Sequence, residues 1–194
     1  SVSNSFDLIR GGHLEELDMA YETWGKLNED KSNVAVIFTG LSADSHVTSS
    51  DRDKSPGWWD GMVGKNKAID TNKYFVICIN TLGSCFGSTS PVSVNKKTGK
   101  PYRLTFPELT VEDMANASFM LLKKLGINKI NLLIGPSLGG MKALAFSVLH
   151  NDFVENIILI STATQALPFA IAVRSLQREV IRKDPLWNNG FYSY

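Results

Sequence analysis

The sequence predicts an α/β fold: a mostly parallel sheet with flanking helices. Three observations lead there. Short apolar, β-branched runs recur along the chain, helical patterns separate the later ones, and glycine or proline marks most of the joints. Strand–helix–strand repetition of this kind calls for right-handed crossovers between parallel neighbours.

The elements follow in order. "LDMAYETWG" (17–25) alternates apolar and polar residues, the pattern of a half-buried strand. "NVAVIFTG" (33–40), "YFVICIN" (74–80), "KINLLIG" (129–135) and "ENIILIS" (155–161) are apolar on both faces, as parallel strands covered by helices are. "TVEDMANASFMLLKKLG" (110–126) reads as a helix with a Thr cap, acids in its first turn and lysines before a terminal glycine. "LGGMKALAFSVLH" (138–150) is a second helix, and "PFAIAVRSLQREVIRKDP" (168–185) a third that stops at Asp184-Pro185. Two long loops, 41–72 and 81–109, interrupt the pattern; structureless stretches of that length tend to be functional.

Composition bounds the class. A chain of 194 residues is one domain, or one domain and part of another, and 43% hydrophobic residues suffice for a packed core. A net charge of +1 gives no electrostatic reason to expect nucleic acid or an anionic membrane as partner. The longest apolar stretch, "YFVICI", is far short of the roughly 20 residues of a membrane span. "SVSNSFDLIRGGHLEELD" lacks the apolar region of a signal peptide, and Cys78 and Cys85 make a poor disulfide framework, so a reduced, cytoplasmic setting is expected.

The stretch "NLLIGPSLGGMKALAFSVLH" (131–150) holds the candidate chemistry. Gly135-Pro136-Ser137-Leu138-Gly139 fits G-x-S-x-G between an incoming strand and an outgoing helix, the setting of a nucleophile elbow. Ser137 is therefore the candidate nucleophile; the alternative is a plain strand-to-helix turn with a capping serine. The Leu138 N–H would supply one oxyanion donor. "FTGLSADSH" (38–46) is the candidate for the second, unless it is an ordinary glycine-containing turn. No His/Cys/Asp cluster has metal-ligand spacing, so no metal is expected. Cys85 in "GSCFGS" has no histidine partner and is expected as a small buried residue. "GPSLGG" is not a dinucleotide fingerprint.

The chain offers no evident general base. In this setting the base follows the serine, and only His150 does. It stands at the far end of the helix that begins at Leu138, about 20 Å away at 1.5 Å per residue. His46 is expected to pack or hydrogen-bond within its loop, and His13 lies ahead of the first strand.

Several stretches together resemble the homoserine O-acetyltransferase family: "YETWGKLN", "GWWDGMVG", "KAIDTNKYFVICINTLGSCFGST", "NKKTGKPY", "FPELTVEDM", "GPSLGGM" and "QREVIRKDPLWNNGFY". That family is an acyltransferase branch of the α/β-hydrolase fold, and the resemblance runs from about residue 6 to 194. It implies that an acyl-coenzyme A acylates Ser137 and that the acyl group passes to the hydroxyl of L-homoserine, a step of methionine biosynthesis. Leu41 and Leu138 match the positions whose backbone N–H groups form the oxyanion hole. Arg178 matches an arginine that enters the site from the lid, where a guanidinium can grip the acceptor's carboxylate; its alternative is a solvated helix face. Acetyl-CoA, or succinyl-CoA, is implied as co-substrate with no bound cofactor, and a homodimer through the lid as the assembly. The resemblance divides the chain into 1–165, the N-terminal part of the hydrolase core, and 166–194, the beginning of a helical lid. The core is then incomplete at its C-terminus, and the triad Asp and His are expected from a further C-terminal portion. Two stretches depart from the family: Leu41-Ser42-Ala43 stands where Leu-Thr-Gly is usual, and Ser88-Thr89-Ser90-Pro91 where Ser-Thr-Gly-Pro is. The other readings are a related serine or homoserine O-succinyl- or acetyltransferase, an esterase with the same elbow, and an inactive interaction module.

Overall fold

Every one of the five apolar runs forms a strand of one central sheet. The computed structural model describes residues 1–191. In chain order the strands are β1 (Tyr21–Trp24), β2 (Val34–Phe38), β3 (Phe75–Ile79), β4 (Ile130–Pro136) and β5 (Val154–Ile160). They lie side by side as β5-β4-β2-β3-β1. β2 to β5 are parallel, and β1 closes one edge antiparallel to β3, with Tyr21 opposite Ile79. β2 is central and all of its residues are buried, as a run apolar on both faces requires.

β1 is shorter than its sequence pattern. Leu17 is drawn instead into a bridge with Ser3, beside a small N-terminal hairpin of Phe6–Asp7 and His13–Leu14. β5 departs more. The expectation of a strand covered on both faces fails among the described residues: β5 is the sheet edge, and Ile157, Ile158 and Leu159 are 38%, 45% and 38% exposed. Pairing with β4 satisfies only one side of it.

The three helices are α1 (Val111–Lys124), α2 (Leu138–Leu149) and α3 (Pro168–Lys183). Thr110 and Asp113 form a capping box at the start of α1. The buried Asp113 carboxylate also accepts from the Ile9 backbone N–H at 3.0 Å, which ties the N-terminal segment to the helix. α1 and α2 cover one sheet face with Leu14, Leu17, Phe38, Leu122 and Phe146 in the core between. The other face, with Ala35, Ile37, Val76 and Cys78, is covered by Val47, Val63 and Ile69 from the 41–72 loop. Neither long loop is structureless: Val63–Gly64 pairs with Ile69–Asp70, and Val94–Asn95 with Lys100–Pro101.

α3 buries none of its residues. The turn that follows it, Pro185–Gly190, is held by Arg103, which donates to the Gly190 carbonyl at 2.8 Å. Residues 192–194 of the expected lid segment lie outside the described residues. No described helix is long and apolar enough to cross a membrane. Both cysteines are free; Cys78 is buried, but Cys85 is exposed, against expectation. Backbone and amide bonds close its loop, Gly83 N–H to Thr89 O and Asn80 Nδ2 to Phe86 O. The tip therefore needs no buried side chain to hold its shape.

Candidate active site

β4 ends at Pro136 and α2 begins at Leu138, leaving Ser137 alone to make the turn. It does so at φ 53°, ψ −119°, a conformation that costs an L-residue on the order of 1–3 kcal/mol and is typical of functional sites. The neighbours hold it there. The Ser137 N–H donates to Ile160 O at 2.9 Å, and its carbonyl accepts from Thr162 Oγ1 at 2.8 Å and Gly140 N–H at 3.0 Å. The side chain forms no capping bond, so Ser137 is not the capping serine of a plain turn; it is exposed. The glycines are obligatory: a Cβ on Gly135 would lie 2.3 Å from Gly139 O, and one on Gly139 2.2 Å from Phe38 O.

That close approach sets the loop after β2 beside the elbow. A Cβ on Gly40 would be 3.8 Å from Pro136 O, so the loop backbone runs against the residue before the nucleophile. Leu41 follows, its side chain 60% exposed. Leu138 is the first residue of α2, so its N–H has no acceptor within the helix and lies at the positive end of the dipole.

The Trp-Trp-Asp stretch clamps this loop. Trp58 and Trp59 stack at 5.3 Å. Trp58 Nε1 donates to Asp44 O at 2.9 Å, Trp59 N–H to Val47 O at 2.9 Å, and Thr48 Oγ1 to Asp60 Oδ1 at 2.6 Å. His46 completes the clamp as expected, donating from Nδ1 to Glu22 Oε2 and from Nε2 to Ser55 O, each at 3.0 Å. The Ser55 carbonyl and the Glu22 carboxylate raise its pKa to about 9. Ser55, His46 and Glu22 thus line up like a nucleophile relay, but the imidazole already holds its proton, and the Ser55 hydroxyl donates to Asp53. His150 stacks on Phe119 at 3.8 Å and pairs with Asn116, its pKa lowered by burial. His13 pairs with Asp7. Each of the three histidines is committed away from Ser137. Arg178 lies on the exposed α3, where its guanidinium donates to Ser175 Oγ one turn back, and the structure does not bring it to the elbow.

Lys142 escaped the sequence reading. It is fully buried on α2. Its Nζ stands 4.0 Å from the Phe38 ring centroid and 3.4 Å from Thr81 Oγ1, and Thr81 shares a 3.1 Å hydrogen bond with Thr39 Oγ1. Burial lowers its pKa to about 7 and pushes that of the neighbouring Cys78 thiol up. The signal was present: 139, 142, 143 and 146 form the buried stripe of α2, and a lysine interrupts it.

The fold and the elbow define the class. The chain belongs to the family described as the alpha/beta hydrolase fold, which it matches over residues 34–194. Within that class it is 52% identical over 192 residues to a serine O-succinyltransferase of Stenotrophomonas maltophilia (strain K279a), an alignment covering 99% of this chain and 52% of the relative. A crystal structure of homoserine O-acetyltransferase from Bacillus anthracis superposes with a TM-score of 0.90 at 37% identity, over 98% of this chain and 53% of that one. Esterase E22 does so with a TM-score of 0.89 at 36% identity, over 98% and 54%. The resemblance read from the motifs is borne out over this portion. The chain spans about half the length of the curated relatives it matches.

Proposed function

We propose that the whole protein is an O-acyltransferase that carries an acyl group from acyl-coenzyme A to an amino-acid hydroxyl through Ser137. The observation that carries this reading is the strained, exposed Ser137, its hydroxyl free of any capping bond, beside a backbone loop at a helix N-terminus. Ser137 Oγ attacks the thioester carbonyl, and the oxyanion is met by the N–H groups of Leu138 and Leu41. The C–S bond breaks and coenzyme A leaves as the thiol. The acceptor hydroxyl then attacks the acyl-serine, releasing the new ester and restoring Ser137. Because the described histidines are committed elsewhere, the base and its carboxylate are assigned to residues outside these.

Succinyl transfer to serine is the first pairing, favoured by the 52% identity to a protein of that name. Acetyl transfer to homoserine is the second, favoured by the Bacillus anthracis structure. The test incubates the full-length protein with each acyl-coenzyme A and each acceptor, following thiol release and the mass of the peptide holding Ser137. The expected result is a succinyl adduct on Ser137, loaded by the succinyl donor, that discharges to serine. Discharge by water alone at the same rate points to an esterase. Full turnover by Ser137→Ala overturns the assignment.

A further inference from the structure

We infer that Lys142 is a positioning residue for this acyl transfer: its buried side chain ties the helix that carries Ser137 to the loop that carries the second oxyanion donor, through Thr81 and Thr39. The inference rests on the reading of Ser137 as acyl carrier and of the Leu138 and Leu41 N–H groups as oxyanion donors.

Three segments must keep a fixed relation for those two donors to converge: the start of α2, the end of β2 and the loop that follows β2. The β2–β4 ladder pairs the strands as far as Ile37 and Ile134, and beyond its end only close contact joins α2 to β2, with Gly139 against the Phe38 and Thr39 carbonyls. Contact of that kind prevents collapse but does not prevent separation. Lys142 lies five residues beyond Ser137 on the same helix, and its Nζ reaches back over the Phe38 ring to Thr81. Thr81 stands just after β3 and bonds Thr39, two residues before Leu41. Thr39 and Lys142 are fully buried and Thr81 is 4% exposed, so water does not compete for these bonds. The chain of contacts runs from the nucleophile's helix across the carboxyl ends of β2 and β3 to the root of the oxyanion loop.

Packing does not account for a lysine there. The other residues of the stripe, Ala143 and Phe146, are apolar, and a methionine could fill the same space without desolvating an amine. Lys142 has one hydrogen bond and one aromatic face for a group with three donors. A buried polar group so sparsely served breaks a local rule of stability, and such breaks gather at functional sites.

The test is a double-mutant cycle in the full-length protein with Lys142→Met, Thr81→Val and both together. Acylation of Ser137 is read as the burst of p-nitrophenol from p-nitrophenyl acetate, a probe that depends on neither the natural donor nor the acceptor. Each single substitution is expected to lower the burst rate about tenfold or more, since small misplacements of reacting groups are costly. The ester concentration giving half the maximal burst rate should stay unchanged. The double variant should be no slower than the slower single one, because both cut the same tie. Thermal unfolding of Lys142→Met at or above the parent temperature, and a Thr81→Val variant still fully folded at the assay temperature, separate this from loss of fold. Thr81→Val, close in shape to the parent, carries the test if Lys142→Met fails to fold. Parent-like burst rates in both single variants, or losses that multiply in the double, overturn the inference and leave Ser137 standing. A parent protein that forms no adduct on Ser137 overturns the functional reading and this inference together.

Discussion

Lys142→Met should stabilise the protein at neutral pH and much less at high pH. The amine is fully buried, and its pKa is lowered from 10.5 to about 7. At about 1.36 kcal/mol per pH unit, that shift of roughly 3.5 corresponds to a penalty near 5 kcal/mol while both states are protonated. The folded pKa lies below the unfolded one, so below about pH 7 both states bind the proton and the penalty is complete. Between about 7 and 10.5 the unfolded chain binds a proton that the folded one does not, and stability rises with pH. Above 10.5 the penalty has gone. Replacing buried charges by apolar groups has stabilised proteins by about 1–4 kcal/mol, so a gain of about 2–4 kcal/mol is expected at pH 6 and under about 1 kcal/mol at pH 10. The assay is urea unfolding at pH 6, 8 and 10, followed by tryptophan fluorescence and compared at unchanged m-value. A gain independent of pH, or a loss of stability at pH 6, would refute the reasoning.

Three further outcomes are expected. Gly139→Ala places a Cβ 2.2 Å from Phe38 O, and overpacking of that kind should cost about 1–3 kcal/mol in unfolding experiments while sharply slowing acylation; parent-like values for both would show that the elbow has slack. Arg178→Ala should leave stability within about 0.5 kcal/mol, since α3 is exposed; if the acceptor-binding role implied by the resemblance holds in the full-length protein, it should also raise the acceptor KM and spare acylation, and an unchanged acceptor KM returns Arg178 to the solvated face where this structure places it. His46→Gln should destabilise most in acid: the folded pKa is raised from 6.5 to about 9, so the stabilisation is complete below 6.5 and lost as pH rises through 9. Discounted for partial solvent screening, the loss at pH 6 is about 2 kcal/mol, and equal losses at pH 6 and pH 10 would contradict the ion pair.

How much of this was legible depends on what each pattern reports. β2, β3 and β4 were legible because a short apolar, β-branched run bounded by turn residues has few other fates. β5 was legible as a strand but not as an edge, since apolar content reports what a strand can bury and not which neighbours lie beside it. Ser137 was legible because it stands between an apolar run and an apolar helical pattern, with Gly135, Gly139 and Gly140 close by in the turn. His46 was placed by its loop, but its partners Glu22 and Ser55 come from different segments, and no spacing rule joins them. The Trp-Trp-Asp stretch was conspicuous without revealing its work, because a clamp shows only once its carbonyl acceptors at Asp44 and Val47 are in space. Cys85 was misjudged because a glycine-rich loop can close on backbone bonds and leave its tip in water. Lys142 was overlooked because a lysine in a helix is ordinarily a solvated or snorkelling group. Helical spacing argued otherwise, placing it with Gly139, Ala143 and Phe146.

The proposed acyl transfer asks two tasks of Ser137, and the architecture separates them. Presenting the hydroxyl needs a strained turn, and that strain must be opposed from several sides. Here the opposition is largely backbone: Ile160 of β5 accepts the Ser137 N–H, Thr162 and Gly140 hold its carbonyl, and the glycines let β2 and α2 touch. Activating the hydroxyl needs a base free to take a proton. His46 is the histidine in the loop beside the elbow, and its two hydrogen bonds make it an imidazolium at neutral pH, spent on holding that loop. A histidine cannot be both an ionic clamp and a poised base at the same pH. The clamp therefore belongs to presentation, and its loss should disturb the loop after β2, the proposed oxyanion loop, before it disturbs proton transfer. On the proposed reading Lys142 falls on the same side of that division: its amine meets Thr81 and the Phe38 ring, and its effect on Ser137 would run through the ends of β2 and β3.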